Sequence, residues 1–284
     1  MIAIVAYPLL TTVASLSAQV FAALATIGKA QSGKPAAELK NAPPFAGITS
    51  CLPVPVVVKP SSDDTYTIQF YGDAAAVKSL KMSHEMIPGT NRYDPNGDIF
   101  LHNEKPFSST QGIGVVVYMP ADRLIRVTNR QMGSFTAVSG FVPPVLNVKT
   151  LAGAGPTALG TSDTDRVHIY HGASSNLTVS GEVDVVEFHA ASYSGGTASF
   201  NAIVDRVFID VDSELQRVYI GGLQNVSVSG QSAGRVSVSN ATCNLNSGSC
   251  RDVPPRAVEP VGAPKFVPAS SKMRCNTSCN CRSA

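Results

Sequence analysis

Val167-His-Ile-Tyr170, Val186-Glu-Phe-His189, Val207-Phe-Ile-Asp210 and Val226-Ser-Val-Ser229 begin 19, 21 and 19 residues apart. Asp165-Arg-Val167 returns as Asp205-Arg-Val207 two such units later. Second short apolar runs lie between them: Leu177–Ser180, Phe200–Ile203, Val218–Ile220 and Val236–Ser239. Gly- and Ser-rich breaks such as Gly172-Ala-Ser-Ser175 and Tyr193-Ser-Gly-Gly196 separate the runs. Alternation with period two sends Val167 and Ile169 to one face of a strand and His168 and Tyr170 to the other. A recurrence near 20 residues stacks equivalent strands, so Val167, Val186, Val207 and Val226 form one expected buried column. Ile169, Phe188, Ile209 and Val228 form the next. Such stacking predicts an all-β fold, a right-handed parallel β-solenoid or β-helix, in preference to a β-sandwich with turns every 8–12 residues or so.

Working outward, Thr65–Tyr71, Val77–Met82, Ile99–His102 and Gly114–Met119 read as strands without the 20-residue phrase. They are expected to cap the solenoid's N-terminal end as an antiparallel region, since an open sheet edge invites pairing with another chain. The organisation expected is a signal peptide over residues 1–25, a linker over 26–61, the solenoid over 62–245 and a flexible Pro-rich, Cys-containing tail over 246–284. The first charged residue is Lys29, and Ala23-Leu-Ala25 offers the small-x-small cleavage pattern, with Ser15-Leu-Ser17 an earlier alternative. An uncleaved leader would be long enough to span a bilayer, the one route to membrane attachment. Pro254, Pro255, Pro260, Pro264 and Pro268 punctuate the tail.

Composition fits. Charged residues are 15% of the chain against about 25% on average, and hydrophobic residues 44%. Lys+Arg 22 against Asp+Glu 20 leaves +2, which excludes an electrostatic footprint for nucleic acid. Six Cys, an even number, point with the leader to a secreted or cell-surface protein. Cys243 and Cys250 bracket a turn-rich stretch and are the natural local pair. Cys51, Cys275, Cys279 and Cys281 are disulfide candidates with open connectivity, including a link to a neighbouring chain. Asn176, Asn225, Asn240 and Asn276 stand in Asn-x-Ser/Thr sequons and are glycosylation candidates.

The strands ending in Val115-Val-Val-Tyr-Met-Pro-Ala-Asp-Arg-Leu124 are followed by alternating Val-x-Ile strands. These are joined by turns such as His171-Gly-Ala-Ser-Ser175, Ser180-Gly-Glu-Val-Asp184 and Val228-Ser-Gly-Gln-Ser-Ala-Gly234. Over residues 62–242 this pattern resembles the auto-transporter adhesin head (GIN) domain family. The resemblance implies an exported β-solenoid with no assigned catalytic residues. The six Cys, the Pro-rich tail and the turn Asp212-Ser-Glu-Leu215 depart from that pattern.

No nucleophile elbow, zincin or phosphate-loop motif is present in the sequence. Two constellations stand out. Tyr170, His189 and Asp210 fall on one outward ladder, a candidate ligand surface. Asp210, Asp212 and Glu214 alternate, which would put three carboxylates on one side of a strand as a candidate calcium site. No other cofactor is expected. The function expected is a binding or adhesion module without catalysis, meeting a glycan or an extracellular protein surface. The alternatives are a polysaccharide lyase or hydrolase built on a β-helix, with Asp210 and Asp212 as its acids, and a structural exoprotein cross-linked through its last Cys.

Overall fold

Strands Thr164–His171, Val183–Ala190, Ile203–Val211 and Val226–Ser232 lie side by side and parallel. Leu177–Ser180, Thr197–Asn201, Arg217–Gly221 and Arg235–Val238 do the same in a second sheet. Each coil of chain passes once through each sheet, which is a parallel β-solenoid. The structure is a computed structural model describing residues 33–85, 97–201, 203–222, 225–256, 259–275 and 279–283. The expected signal peptide and Asn276 lie outside the described residues. The two sheets hold ten and eleven strands. Among the described residues no helix is long and apolar enough to cross a membrane.

The inward columns follow the alternation. Val167, Val186 and Val207 stand in register, as do Ile169, Phe188 and Ile209. The next strand differs from expectation by two residues: Val228, not Val226, continues the first column, and Gly230 faces Ile209. Gly230 has φ 124°, and a Cβ there would collide with the Ile209 backbone. A two-residue slip keeps every side chain on its face, so alternation alone cannot distinguish the registers. Between the sheets Phe188 meets Phe200 edge to face, with ring centroids 5.1 Å apart, and both are buried.

The N-terminal part departs further. Gly47–Ser50 and Val56–Ser61, inside the stretch expected as a linker, form a coil of the solenoid. That coil lies between two that come later in the chain. Gly47–Ser50 pairs with Asp98–Asn103 on one side and Arg126–Asn129 on the other. Val56–Ser61 is likewise flanked by Gly114–Pro120 and Phe135–Phe141. Gly47 makes this possible at one point: Asp98, Gly47 and Arg126 are in register, and a Cβ at Gly47 would collide with the Asp98 carboxylate. Across the bare glycine, Arg126 Nη2 and Nε donate to Asp98 Oδ1 at 2.6 and 2.9 Å. The antiparallel cap is therefore smaller than expected, consisting of Leu80–Glu85 on one sheet and Thr67–Tyr71 with Ala37–Lys40 on the other. Val77 belongs to a short helical turn, Ala74–Val77, rather than to a strand.

The tail is not a free appendage. Cys250–Asp252 completes the last coil, and the chain then runs back along the second sheet. Val253 N–H donates to the Val238 carbonyl at 2.8 Å. Arg256 N–H donates to the Tyr219 hydroxyl at 3.0 Å, with its guanidinium 4.1 Å above that ring. The Ser180 hydroxyl donates to the Glu259 carbonyl, and Val261 and Ser139 exchange two hydrogen bonds. Phe266 occupies the space above Gly114, where a Cβ would strike its ring. Ala269–Ser271 pairs antiparallel with Phe107–Ser109, and Asn103 Nδ2 donates to the Met273 carbonyl at 2.6 Å. From the Val238 strand to the Ile113 region is seven strand spacings, about 34 Å. A polyproline-like chain can reach about 43 Å from residue 253 to residue 267, enough to span that distance. The prolines suit a segment that lacks a partner strand for most of its length.

Disulfides Cys51–Cys279, Cys243–Cys250 and Cys275–Cys281 use all six thiols. The local pair Cys243–Cys250 is as expected. No thiol is left for a link to a neighbouring chain, which corrects the cross-linking alternative. Replacing Cys51 and Cys279 together by Ser is expected to lower stability by about 2–5 kcal/mol. Urea unfolding would measure it, and hydrogen exchange should rise first in residues 253–271.

Candidate functional site

The outward positions of the long-strand sheet form two ladders that cross the coils. One is Asn147, His168, Glu187, Phe208 and Ser229; the other is Lys149, Tyr170, His189, Asp210 and Gln231. A shallow, open groove of about 610 Å³ runs over both, from Asn147 and Lys149 to Phe208 and Asp210. The structure thus brings Tyr170, His189 and Asp210 together on neighbouring strands. The Tyr170 and His189 rings stack with centroids 5.4 Å apart. His189 Nδ1 lies 3.1 Å from Asp210 Oδ2, and Gln231 Nε2 donates to Asp210 Oδ1 at 2.8 Å. The Gln231 amide, with His189 behind it, holds the Asp210 carboxyl below its ordinary range. In the neighbouring ladder His168 Nδ1 meets Glu187 Oε2 at 2.8 Å, and Arg166 lies 3.6 Å from the same carboxylate.

Two exposed rings flank the second ladder. Phe208 is 43% and Tyr193 55% exposed. The Tyr193 and Tyr170 hydroxyls are 3.2 Å apart, and this contact raises the Tyr170 phenol above its usual value. The strip is therefore a pre-set row of donors and acceptors between two aromatic rims. The His168–Glu187 pair is readable by adding 19 residues; Gln231 is not, because the 19-residue step puts Ser229 opposite Asp210 and the two-residue slip of that strand brings Gln231 there instead. Tyr193 sits in a corner turn, which the strand period does not reach.

The second constellation is not assembled. The strand ends at Val211, and Asp212 and Glu214 are exposed in the turn beyond it. Among the described residues no group of three His, Cys, Asp or Glu comes together to hold a metal. The alternation that predicts this site runs on to Glu214, past the strand's end at Val211, because nothing in Asp212-Ser-Glu-Leu215 marks that end as sharply as a glycine would. Asn176, Asn225 and Asn240 are exposed; Asn176 Oδ1 already accepts the Thr197 N–H at 3.1 Å.

Behind the strip, the last inward position of successive strands carries buried polar groups in register: Ser50, Asn129, Thr150 and His171. Asn129 Nδ2 donates to the Gly133 and Gly155 carbonyls, both at 3.2 Å. His171 Nδ1 lies 2.6 Å from the Thr150 hydroxyl and Nε2 3.3 Å from the Gly195 carbonyl. This column satisfies corner carbonyls that the sheets leave behind.

No family model matches the chain, and no curated protein matches it. Among solved structures it is similar to a putative adhesin from Bacteroides fragilis, with TM-score 0.55 and 14% identity, over 79% of this chain and 96% of that one. It is also similar to a putative lipid binding protein from Parabacteroides distasonis, with TM-score 0.40 and 15% identity, over 76% and 95%. The first likeness is one of fold.

Burial holds the His171 and His102 imidazoles below the ordinary value of 6.5. Below pH 6.5 the unfolded chain takes up protons that the folded chain refuses, so stability is full above that pH and declines as pH falls towards the folded values. The slope is at most about 1.4 kcal/mol per pH unit per histidine. Urea unfolding between pH 5 and 8 measures it, and His171→Asn should remove that residue's share of the slope.

Proposed function

We propose that this chain is an exported binding module that presents the outward strip to extracellular glycans or protein surfaces, without catalysis. The carrying observation is the hydrogen-bonded ladder Tyr170, His189, Asp210 and Gln231 between the exposed rings of Phe208 and Tyr193. Side chains already held in place lose little freedom when a ligand arrives, and an aromatic ring beside fixed polar groups suits an amphipathic partner such as a sugar. The rigid solenoid repeats such contacts along its length, which favours many weak contacts acting together. Export is supported by the apolar leader and by six Cys all paired within the chain. The adhesin description of the Bacteroides fragilis protein agrees with this reading.

The open groove also favours binding over turnover, since acid–base chemistry draws much of its strength from a water-excluded site. Glu187 and Asp210 are each engaged by a histidine rather than left to act on a substrate.

Residues 26–284 applied to arrays of glycans and matrix proteins are expected to give a signal that EDTA does not change. Tyr170→Ala with His189→Ala should cut that signal about tenfold or more, the value of two or three lost hydrogen bonds. Absence of any signal, or depolymerisation of a bound polysaccharide, would overturn the reading.

A further inference from the structure

Each rung of the ladder Lys149, Tyr170, His189, Asp210 and Gln231 occupies the same register position on its strand. The ladder therefore advances by one strand spacing per rung, about 4.8 Å. A ligand that engages every rung must itself repeat at close to that length. An extended peptide laid along the solenoid axis does not, because its same-side side chains recur about every 6.8 Å and fall out of step within two coils. An amphipathic helix would need a continuous apolar groove, whereas this strip is a row of charges, imidazoles, phenols and amides. A β-linked polysaccharide in its extended ribbon advances, for each pyranose ring and bridging oxygen, by a length close to one coil; alternate rings are turned over, so its same-side groups recur every two coils and stay in step with the rungs.

We propose that the strip binds a linear β-linked polysaccharide lengthwise, with one sugar residue over each coil from Val145–Thr150 to Val226–Ser232. This rests on reading the strip as a ligand-binding surface. The chemistry along the row matches hydroxyl-rich rings. Tyr170 and Tyr193 offer phenol hydroxyls. His189 is held through Nδ1 by Asp210, which leaves Nε2 to a ligand. Gln231 and Asp210 supply an amide and a carboxylate already fixed against each other. Lys149, at the near end, has no ion-pair partner among the described residues and is available to hydroxyls or to an acidic sugar. The Phe208 and Tyr193 rings stand on opposite sides of the row, where the C–H faces of successive pyranoses can rest. The Tyr170 and His189 rings are stacked on each other, so one face of each is already taken and their polar atoms are the groups assigned to hydrogen bonding. The groove volume of about 610 Å³ lies within the range of small-molecule sites and is open along its length.

The test is a chain-length series on residues 26–284, measured by titration calorimetry. The probes are oligomers of one to six residues from β-linked glucan, xylan, mannan, chitin and polyuronate, with α-1,4-linked glucan oligomers as the comparison. For at least one β-linked series, affinity is expected to rise with each residue up to about five and then level, exceeding the α-linked series at least tenfold. Tyr170→Phe and Gln231→Ala, at different rungs, should each weaken the pentamer about threefold to tenfold, the value of one hydrogen bond. Both substitutions are outward-facing, and an unchanged melting temperature would confirm intact folding. A monosaccharide or α-linked oligomer binding as tightly as the β-linked hexamer would overturn lengthwise binding while leaving the glycan-binding module standing. Failure of every β-linked oligomer, with proteins bound on the arrays, would make the strip a protein interface and overturn the inference. Failure on the arrays as well removes both.

Discussion

The backbone hydrogen-bond ladder between successive coils is the interaction on which the rest of this molecule depends. Every strand of a coil satisfies its N–H and C=O groups on the coils before and after it, and an unpaired buried peptide group costs about 1–3 kcal/mol. Two demands follow. The inner side chains must stack in register, which Val167, Val186, Val207 and Val228 do. The two ends must also be managed, because a solenoid that merely stops presents pairing groups to any passing strand. One end carries the short antiparallel strands. The other is tied by Cys243–Cys250, which joins the outermost strands of the two sheets. Along one face the returning tail braces the stack from the last coil to the first.

What was legible in the sequence is what repeats. The Val-x-Ile phrase located the parallel strands and sorted inner from outer side chains, because both depend only on period two and a recurrence near 20. Tyr170, His189 and Asp210 came with it, lying 19 and 21 residues apart at outward positions. Three features were not legible, each for a different physical reason. The coil order, with residues 47–61 between two later coils, depends on contacts such as Asp98–Arg126 across Gly47, which have no local signature. The tail lacks periodicity because it crosses the coils instead of joining them, so its partners lie as far as 228 positions away in the chain. The exit from the strand at Val211 left Asp212 and Glu214 on a turn, so three alternating carboxylates did not become a site.

The strip and the buried corner column are two outcomes of the same stacking. Positions facing out receive a row of groups at a fixed spacing, whatever those groups are. Positions facing in at the corner must serve carbonyls that no strand pairs; Asn129 and His171 do so, and the Thr150 hydroxyl holds the His171 ring in place. Function on this scaffold is then a matter of which side chains occupy the outward rungs. Here those rungs hold imidazoles, carboxylates and phenols in mutual contact on the central coils.

The Cys51–Cys279 link gives the fold a mechanical character. A pull transmitted along the backbone from before residue 51 to beyond residue 279 passes through one covalent bond and leaves the coils between them slack. A solenoid stretched from its two ends would otherwise peel one strand at a time, each at little cost. With residues 51 and 279 linked, load on the chain outside them bypasses the coils that carry the strip, and the contact surface keeps its shape while the molecule is under tension.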